Sequence, residues 1–334
     1  MGPGVTAATT PRVGVLIVNW NSGPLLARCL DALAAQTRVP DRVLVIDNAS
    51  ADGSERAAQD RRGVELLRME SNLGFAEANN VGVRHLDDCA WIALLNPDAF
   101  AEPRWLEALV SAAARDADAD VASFASCQRL ADTPSILDGT GDEYTVAGLA
   151  WRRDHGRAAE GNARVAGEIF GPCAAAGLYR RAAFLEVGGF DASYFCYFED
   201  VDLAFRLRLR GYRSRYVPEA VVHHVGSALS GYRSDFAVFH GHRNLVWTFF
   251  KDMPTPLLAL YLPHHLAMNL AAVLVAARRG QGLVALKAKA AAIIGLPRVL
   301  RARRAAQGSR TAGALEVRAA MVQGLRAFGL GRKR

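Results

Sequence analysis

Motifs that announce many common activities are missing from these 334 residues. There is no G-x-x-x-x-G-K-[ST] phosphate loop, which removes the P-loop NTPases. No G-x-G-x-x-G follows the first apolar run, which argues against a dinucleotide site. Neither G-x-S-x-G nor H-E-x-x-H occurs, so the usual hydrolase and zinc-protease chemistries fall away. The five cysteines, Cys29, Cys89, Cys127, Cys173 and Cys196, are odd in number and scattered, with no C-x-x-C pair. That pattern excludes a disulfide framework or a zinc ribbon and fits a reducing compartment. Residues 1–11 lack the apolar core of a secretory signal and read as a flexible N-terminus. No internal repeat is visible, and no set of clear spanning helices supports a processive membrane synthase.

Acidic residues are nearly absent from one end. From Arg278 to Arg334, 14 Lys and Arg stand against the single acid Glu316, so this stretch carries +13 and the rest of the chain −6. An acidic body with a basic tail points to an anionic partner for the tail, not to a nucleic-acid binder. Leu257 to Ala277 is apolar and close to the roughly 20 residues that cross a bilayer. It is interrupted by Pro263, His264, His265 and Asn269, so a spanning and an interfacial placement both fit. Leu283 to Leu300 spaces Lys287, Lys289 and Arg298 as a basic amphipathic helix does. Helices packed on the domain with a solvated basic face are the competing explanation. Contact with an anionic membrane surface is favoured because apolar stretches and one-signed charge coincide.

What is present in the first half is a strand-and-helix alternation. Val13 to Val18 is a continuous apolar run of the kind buried on both faces of a parallel sheet. A helical pattern spans Leu25 to Gln36, and a second strand spans Arg42 to Ile46. The turn-rich segment Asp47 to Ser54 precedes a helix from Glu55. A strand at Val64 to Arg68, a loop and helix over Asn72 to Leu86, and a strand at Trp91 to Leu95 complete the series. Such βαβ units imply a mainly parallel sheet flanked by helices, with ligands at the carboxyl ends of the strands. The polar clusters at Asn19, Asp47 and Asn96 fall there. Residues 130–170 lack periodicity and read as a long loop with room for a hairpin. A short helix at Phe184 to Gly188, a helix at Val201 to Arg210 and a strand at Tyr212 to Val217 follow.

Carboxylates at loop positions carry the candidate chemistry. Asp47 can accept hydrogen bonds from a base or a ribose, or it can join Ser50 in capping the next helix. Asp98, after a strand, can ligate a hard cation beside a diphosphate, or Asn96-Pro97-Asp98 is simply a turn. In Phe195-Cys196-Tyr197-Phe198-Glu199-Asp200-Val201-Asp202 three acids open a helix after an aromatic run. The helix dipole favours acids there, and an aromatic-walled carboxylate also makes a general base. His223-His224 offers an imidazole ligand.

These pieces resemble family 2 glycosyltransferases of the GT-A fold, in the rhamnosyltransferase-like branch. The resemblance rests on Val15-Leu16-Ile17-Val18-Asn19-Trp20-Asn21, Val45 to Ser54, Asn72 to Gly82 and Leu95-Asn96-Pro97-Asp98. It continues through Gly188-Gly189-Phe190-Asp191, Phe198 to Leu203 with Arg206, and His223 to Ser227, covering about Arg12 to Asp252. It implies that Asp47 contacts the nucleotide base with Asn19 and Asn21 nearby, and that Asn72, Asn79 and Asn96 belong to the donor-binding set. Asp98 stands at the last position of the family's D-x-D metal motif, whose first position is Asn96 here. His224 would complete a site for Mg²⁺ or Mn²⁺. Asp200 would be the catalytic base, with Glu199 its alternative, and Arg243 is a candidate phosphate contact.

The resulting expectation is a GT-A domain over 12–252 and a helical, membrane-associating tail over 253–334. The activity implied is inverting transfer of rhamnose or a related hexose from a nucleotide-diphosphate sugar. The acceptor would be lipid-linked or a polysaccharide at the cytoplasmic face of a membrane, in cell-wall or surface polysaccharide synthesis. A non-catalytic nucleotide-sugar-binding subunit is the alternative from another functional class.

Overall fold

The first half of the computed structural model follows the apolar runs. β1 (Val13–Asn19), α1 (Leu25–Ala34), β2 (Arg42–Asp47), α2 (Arg56–Gln59), β3 (Val64–Arg68), α3 (Gly74–His85) and β4 (Trp91–Leu95) succeed one another. The structure describes residues 11–59, 61–116, 120–163, 165–226 and 234–324. Most of the expected flexible N-terminus, Ser227 of the histidine segment and the last residues of the basic tail lie outside them. β1 pairs in parallel with β2 and β4, and β2 with β3. Every residue of β1 is buried, as expected for a strand covered on both faces. The period-2 alternation splits it: Val15 and Ile17 pack with Leu26 and Leu30 of α1, while Leu16 and Val18 pack with Val83 of α3. Gly82 allows that second contact, since a Cβ there would stand 2.3 Å from Leu16 Cδ1.

The chain then leaves the parallel pattern. β5 (Ala99–Ala101), α4 (Trp105–Arg115) and β6 (Val121–Leu130) come next. Residues 130–170, read from the sequence as a loop, instead form β7 (Thr133–Gly139), the hairpin of β8 (Asp142–Tyr144) and β9 (Ala150–Arg152), the short irregular turn α5 (Ala159–Asn162) and β10 (Gly167–Ile169). β11 (Ala176–Arg180), α6 (Arg181–Glu186), α7 (Glu199–Leu209) and β12 (Arg213–His224) complete the domain. The large sheet runs β10-β12-β6-β11-β4-β1-β2-β3, with β5 on β12 and β7 on β6. β11 is antiparallel to both β4 and β6, whereas β6 and β12 are parallel. β6 escapes periodicity because its serines are buried and paired. Ser123 Oγ lies 2.7 Å from Ser214 Oγ, and Trp105 Nε1 donates to Ser126 Oγ at 2.8 Å.

Among the described residues four further helices follow: α8 (Asp235–Asp252), α9 (Thr255–Arg278), α10 (Gly282–Gly308) and α11 (Ala314–Ala319). Leu257, Tyr261 and Met268 of α9, with Ala292, Val299 and Ala306 of α10, share one apolar cluster with Trp247 and Phe249 of α8 and Phe205 of α7. The helices after Asp252 therefore pack directly on α8 and α7.

α8 also carries a buried charge. Lys251, 4% exposed, lies 2.7 Å from Asp191 and 2.6 Å from Asp202, and Asp202 pairs with Arg206 at 2.6 Å. Removing one partner of a buried ion pair leaves the other charge uncompensated, at a cost of about 3–5 kcal/mol. Lys251→Ala should lose stability of that size in urea unfolding, with Asp191 losing its ammonium partner and Asp202 left to Arg206 alone. An unchanged midpoint would mean that water replaces the ammonium.

Candidate active site

Asn19 closes β1 and Asp47 closes β2, and the parallel register sets them side by side. Asn19 Nδ2 donates to Asp47 Oδ1 and to Ser54 Oγ, each at 2.9 Å, and Ser50 N–H donates to Asp47 Oδ2 at 3.3 Å. Asp47 is 4% exposed and is tied into the loop rather than capping α2. Asn21 adopts φ 48°, a conformation its short amide tolerates. Its N–H donates to Ser50 Oγ at 3.0 Å, and its Oδ1 accepts from Ala51 N–H at 2.8 Å. These three residues form one polar corner at the carboxyl edge of the sheet.

Asn72 and Asn79 lie under that edge. Asn72 Oδ1 accepts from Asn48 Nδ2 at 2.9 Å and from Gly74 N–H at 2.8 Å, shaping the entry to α3. Asn79 is 1% exposed and donates to Phe75 O at 2.8 Å. Asn96 and Asp98 follow β4, which flanks β1 on the side opposite β2. Two interstrand steps, about 10 Å in all, separate the Asp47 corner from this second one.

At the second corner Asp98 and His224 meet. The end of β12 pairs with β5, placing His224 opposite Ala99. His224 Nε2 stands 3.3 Å from Asp98 Oδ1, and both residues are buried. Neither atom makes a hydrogen bond among the described residues. The other imidazole nitrogen, Nδ1, lies 2.7 Å from Asp138 Oδ2. Asp138 also pairs with Arg152 and lies 3.3 Å from His155 Nδ1. Burial opposes a charge on His224, but the facing carboxylates outweigh it and lift its pKa to about 9. Burial alone would raise Asp138, yet His155, His224 and Arg152 hold it well below the usual carboxylate range.

The two unpartnered atoms fit a cation. Once a cation displaces the Nε2 proton, a histidine that gives Nδ1–H to a carboxylate presents its Nε2 lone pair to the ion, as metal-ligating histidines do. No group of three or more His, Cys, Asp or Glu among the described residues is arranged to hold a metal by itself. Mg²⁺-type sites need only one or two protein ligands when substrate phosphates and waters supply the rest. The pair therefore suits a divalent ion that arrives with a diphosphate.

The acidic helix reaches the same place through a bridging loop. Asn96 N–H donates to Ala175 O at 2.8 Å, and Ala174 N–H donates to Asp200 Oδ2 at 3.2 Å. Burial raises the pKa of Asp200, with those backbone donors opposing. Asp142 is pushed up by burial and then by the Asp200 charge. Arg152, opposite Asp142 in the β8–β9 hairpin, feels Asp138, Asp142 and Asp200 together. Asp200 stays partly exposed, whereas Glu199 is 5% exposed with Oε2 unpartnered. Burial and the Asp200 charge drive the Glu199 pKa far upward. Of the two acids, Asp200 is the more accessible.

The turn before α7 is strained. Phe195, Tyr197 and Phe198 all have φ between 65° and 68°, an arrangement that persists only when neighbours over-determine it. Asn244, fully buried on α8, sets its amide nitrogen 3.1, 3.0 and 2.7 Å from the carbonyl oxygens of Tyr194, Cys196 and Tyr197. From the other side Gly74, at φ 78°, leaves room for the Phe195 ring, which a Cβ would approach to 2.5 Å. Arg243 braces the same turn, donating to Tyr194 O at 3.0 Å and lying 4.3 Å over the Trp247 ring. Contact with a phosphate would require Arg243 to exchange these bonds. Asp138, Arg152 and Asn244 carry no motif of their own. The Gly- and Asp-rich stretch 138–142 is the one local signal that could have pointed to Asp138.

The chain matches the family model for glycosyl transferase family 2 over residues 14–188. The protein is a member of glycosyl transferase family 2. It is 34% identical over 271 residues to the N-acetylglucosaminyl-diphospho-decaprenol L-rhamnosyltransferase of Mycobacterium tuberculosis, covering 73% of this chain and 85% of that one. It is 24% identical to the O-antigen chain rhamnosyltransferase RfbN of Salmonella typhimurium, covering 64% and 66%. Mannosyltransferase PcManGT from Pyrobaculum calidifontis, solved with GDP-Man and Mn²⁺, superposes with a TM-score of 0.53 at 21% identity, covering 95% of this chain and 89% of that one. GalNAc-T7, solved with UDP, GalNAc and Mn²⁺, gives 0.58 at 16% identity, covering 73% of this chain and 48% of that one. The glycosyltransferase has the GT-A fold, a mixed sheet flanked by helices. Its family match ends before α7, so Asp200 and His224 come from the part beyond it.

Removing the Asn244 amide should expose the strained turn. Loss of hydrogen bonds to buried carbonyls costs about 1–3 kcal/mol for each group left unpaired. Asn244→Ala is expected to lose stability in that range by denaturant titration and to lower turnover more than donor affinity, because Asp200 hangs from the turn. Equal loss of both would assign Asn244 a purely structural role.

Proposed function

We propose that this glycosyltransferase moves L-rhamnose, or a closely related hexose, from a nucleoside-diphosphate sugar to a lipid-linked diphosphate acceptor, with inversion at the anomeric carbon. The observation that carries this reading is the pair of facing, unpartnered atoms Asp98 Oδ1 and His224 Nε2, joined to Asp200 through the loop at Ala174. The donor and acceptor classes are taken from the mycobacterial relative, whose name specifies an L-rhamnosyl transfer to a decaprenol-linked sugar.

In this mechanism the corner of Asn19, Asn21 and Asp47 binds the nucleoside, and the strand spacing carries the diphosphate to Asp98 and His224. A divalent cation bound there with the diphosphate supplies the positive charge that stabilises the leaving group. Asp138 holds the His224 ring so that Nε2 faces Asp98, and Arg152 balances the carboxylates on either side of it. Asp200 takes the proton of the acceptor hydroxyl as that oxygen attacks the anomeric carbon. The bond from that carbon to the diphosphate breaks, and the nucleoside diphosphate departs with the electron pair. Glu199, enclosed beside it, stays outside the transfer.

The deciding assay is nucleotide release from dTDP-, UDP- and GDP-sugars with a polyprenyl-diphosphate-linked N-acetylglucosamine as acceptor, with and without Mg²⁺ or Mn²⁺. Release from one donor that depends on the metal supports the reading. A donor that raises the melting temperature without turnover favours a nucleotide-sugar-binding subunit instead. General-base groups contribute 10²–10⁴-fold, so Asp200→Asn should lower kcat by about that factor while donor affinity persists. Because the Asp200 pKa is raised, its base form is lost as pH falls through a value above the ordinary carboxylate range of about 4. The acid limb of kcat/KM should stand correspondingly high.

Asp138 tests the cation site separately. Partners of metal-ligating histidines typically matter 10–100-fold to metal affinity. Asp138→Asn should raise the Mn²⁺ concentration needed for half-maximal binding by that factor, read by electron paramagnetic resonance with nucleoside diphosphate present, and saturating Mn²⁺ should restore much of the rate. Unchanged Mn²⁺ affinity would remove Asp138 from the site.

A further inference from the structure

Helices α9 and α10 are apolar on the wrong side for a water-facing surface. Each turns one stripe inward: Leu257, Tyr261, His265 and Met268 in α9, and Ala285, Ala288, Ala292 and Val299 in α10. A helix in water would place polar residues on the opposite face. Here ten of the sixteen strongly exposed large hydrophobic residues among those described lie on these two helices, among them Leu260, Leu266, Leu270, Leu274, Ile293 and Ile294. Because both inner stripes join one cluster with α8, both outer faces turn away from the domain. Exposed apolar area on this scale marks an interaction surface.

The charge pattern selects the partner. Neither helix contains an acidic residue, and exposed Arg278, Arg279, Lys287, Arg301 and Arg304 border the apolar positions. Lipid headgroups of negative charge reward basic residues at an interface, and acyl chains reward the leucines.

α9 is long and apolar enough to cross a bilayer by length and composition. Its fastening to the domain argues for a different placement. His265, 1% exposed, stacks on Phe249 at 3.8 Å and lies 2.8 Å from Ala147 O through Nδ1. Tyr261 accepts a hydrogen bond from Arg318 Nε at 2.7 Å. Alongside, Trp247 Nε1 donates to Ala292 O at 3.0 Å, and Arg303 donates to Met253 O at 2.6 Å. A spanning α9 would carry these polar contacts and part of α8 into hydrocarbon, where unsatisfied polar groups cost several kcal/mol each.

We propose that α9 and α10 form an in-plane dock for an anionic bilayer, lying along the headgroup boundary with their outer faces in the lipid and not crossing it. The dock goes beyond the transferase reading and is measured without turnover. The full-length protein is floated with vesicles of phosphatidylcholine alone or with phosphatidylglycerol added. Binding should be at least tenfold stronger with the anionic lipid. Leu270→Glu/Leu274→Glu should reduce it at least tenfold while the melting temperature holds. Nitroxides at positions 260 and 274 then report depth. At a rise of 1.5 Å per residue they lie about 20 Å apart along the helix, so an in-plane helix gives nearly equal depths and a spanning one gives depths differing by about that length. Unequal depths overturn the proposal. So does vesicle binding that ignores the double substitution, or absence of binding. A concentration-dependent dimer dissolved by the same substitution, without vesicle binding, would assign the face to a second copy of the chain.

Discussion

Asn244 places one amide among three carbonyl oxygens of a turn whose Phe195, Tyr197 and Phe198 are all left-handed. Two helical turns further along α8, Lys251 joins Asp191 to Asp202. The start of α7 depends on this grip. The turn directs α7, and α7 begins with Glu199 and Asp200, the carboxylates of the proposed transfer. A strained backbone needs rigid neighbours, and here these are the inner stripe of α8 and the entry to α3 at Gly74. The helices after Asp252 matter to the site for the same reason, because they pack α8 into place.

A second dependence runs through β12. Its carboxyl end sets His224 between Asp98 and Asp138, so one imidazole touches two segments that the chain places far apart. Asp138 comes from β7, and Arg152 from the hairpin beside it. The segment between β6 and β11 thus supplies the groups that orient His224 and balance the charge near Asp200. The sheet's carboxyl edge contributes the polar corner at Asn19 and Asp47. In the proposed mechanism, nucleoside binding, leaving-group stabilisation and proton removal would draw on three parts of the chain, held to one edge.

The parallel half was legible because strands buried on both faces read as unbroken apolar runs, and β1, β2 and β4 have them, with the half-buried β3 at the edge. α7 was legible from its cluster of acids followed by apolar positions. β6 was not, since Ser123, Ser126 and Gln128 break the pattern while being buried and hydrogen-bonded. The strands of 130–170 were hidden for a related reason. Short strands rich in Asp, Arg and Gly take their stability from partners distant in sequence, not from a local period. Asn72 and Asn79 carried the family pattern faithfully, yet their amides shape the loop and helix beneath the donor edge.

The sequence alone marked the family, the parallel core and, through the family resemblance, Asp98, Asp200 and His224 as candidate site residues, because strands buried on both faces and ordered motifs leave local marks. The tertiary structure alone decided which acid is accessible, what turns the histidine and how α9 is held. Those are questions of distance between residues such as His224 and Asp138, or His265 and Ala147. A one-dimensional pattern contains no record of them until packing brings the pairs together.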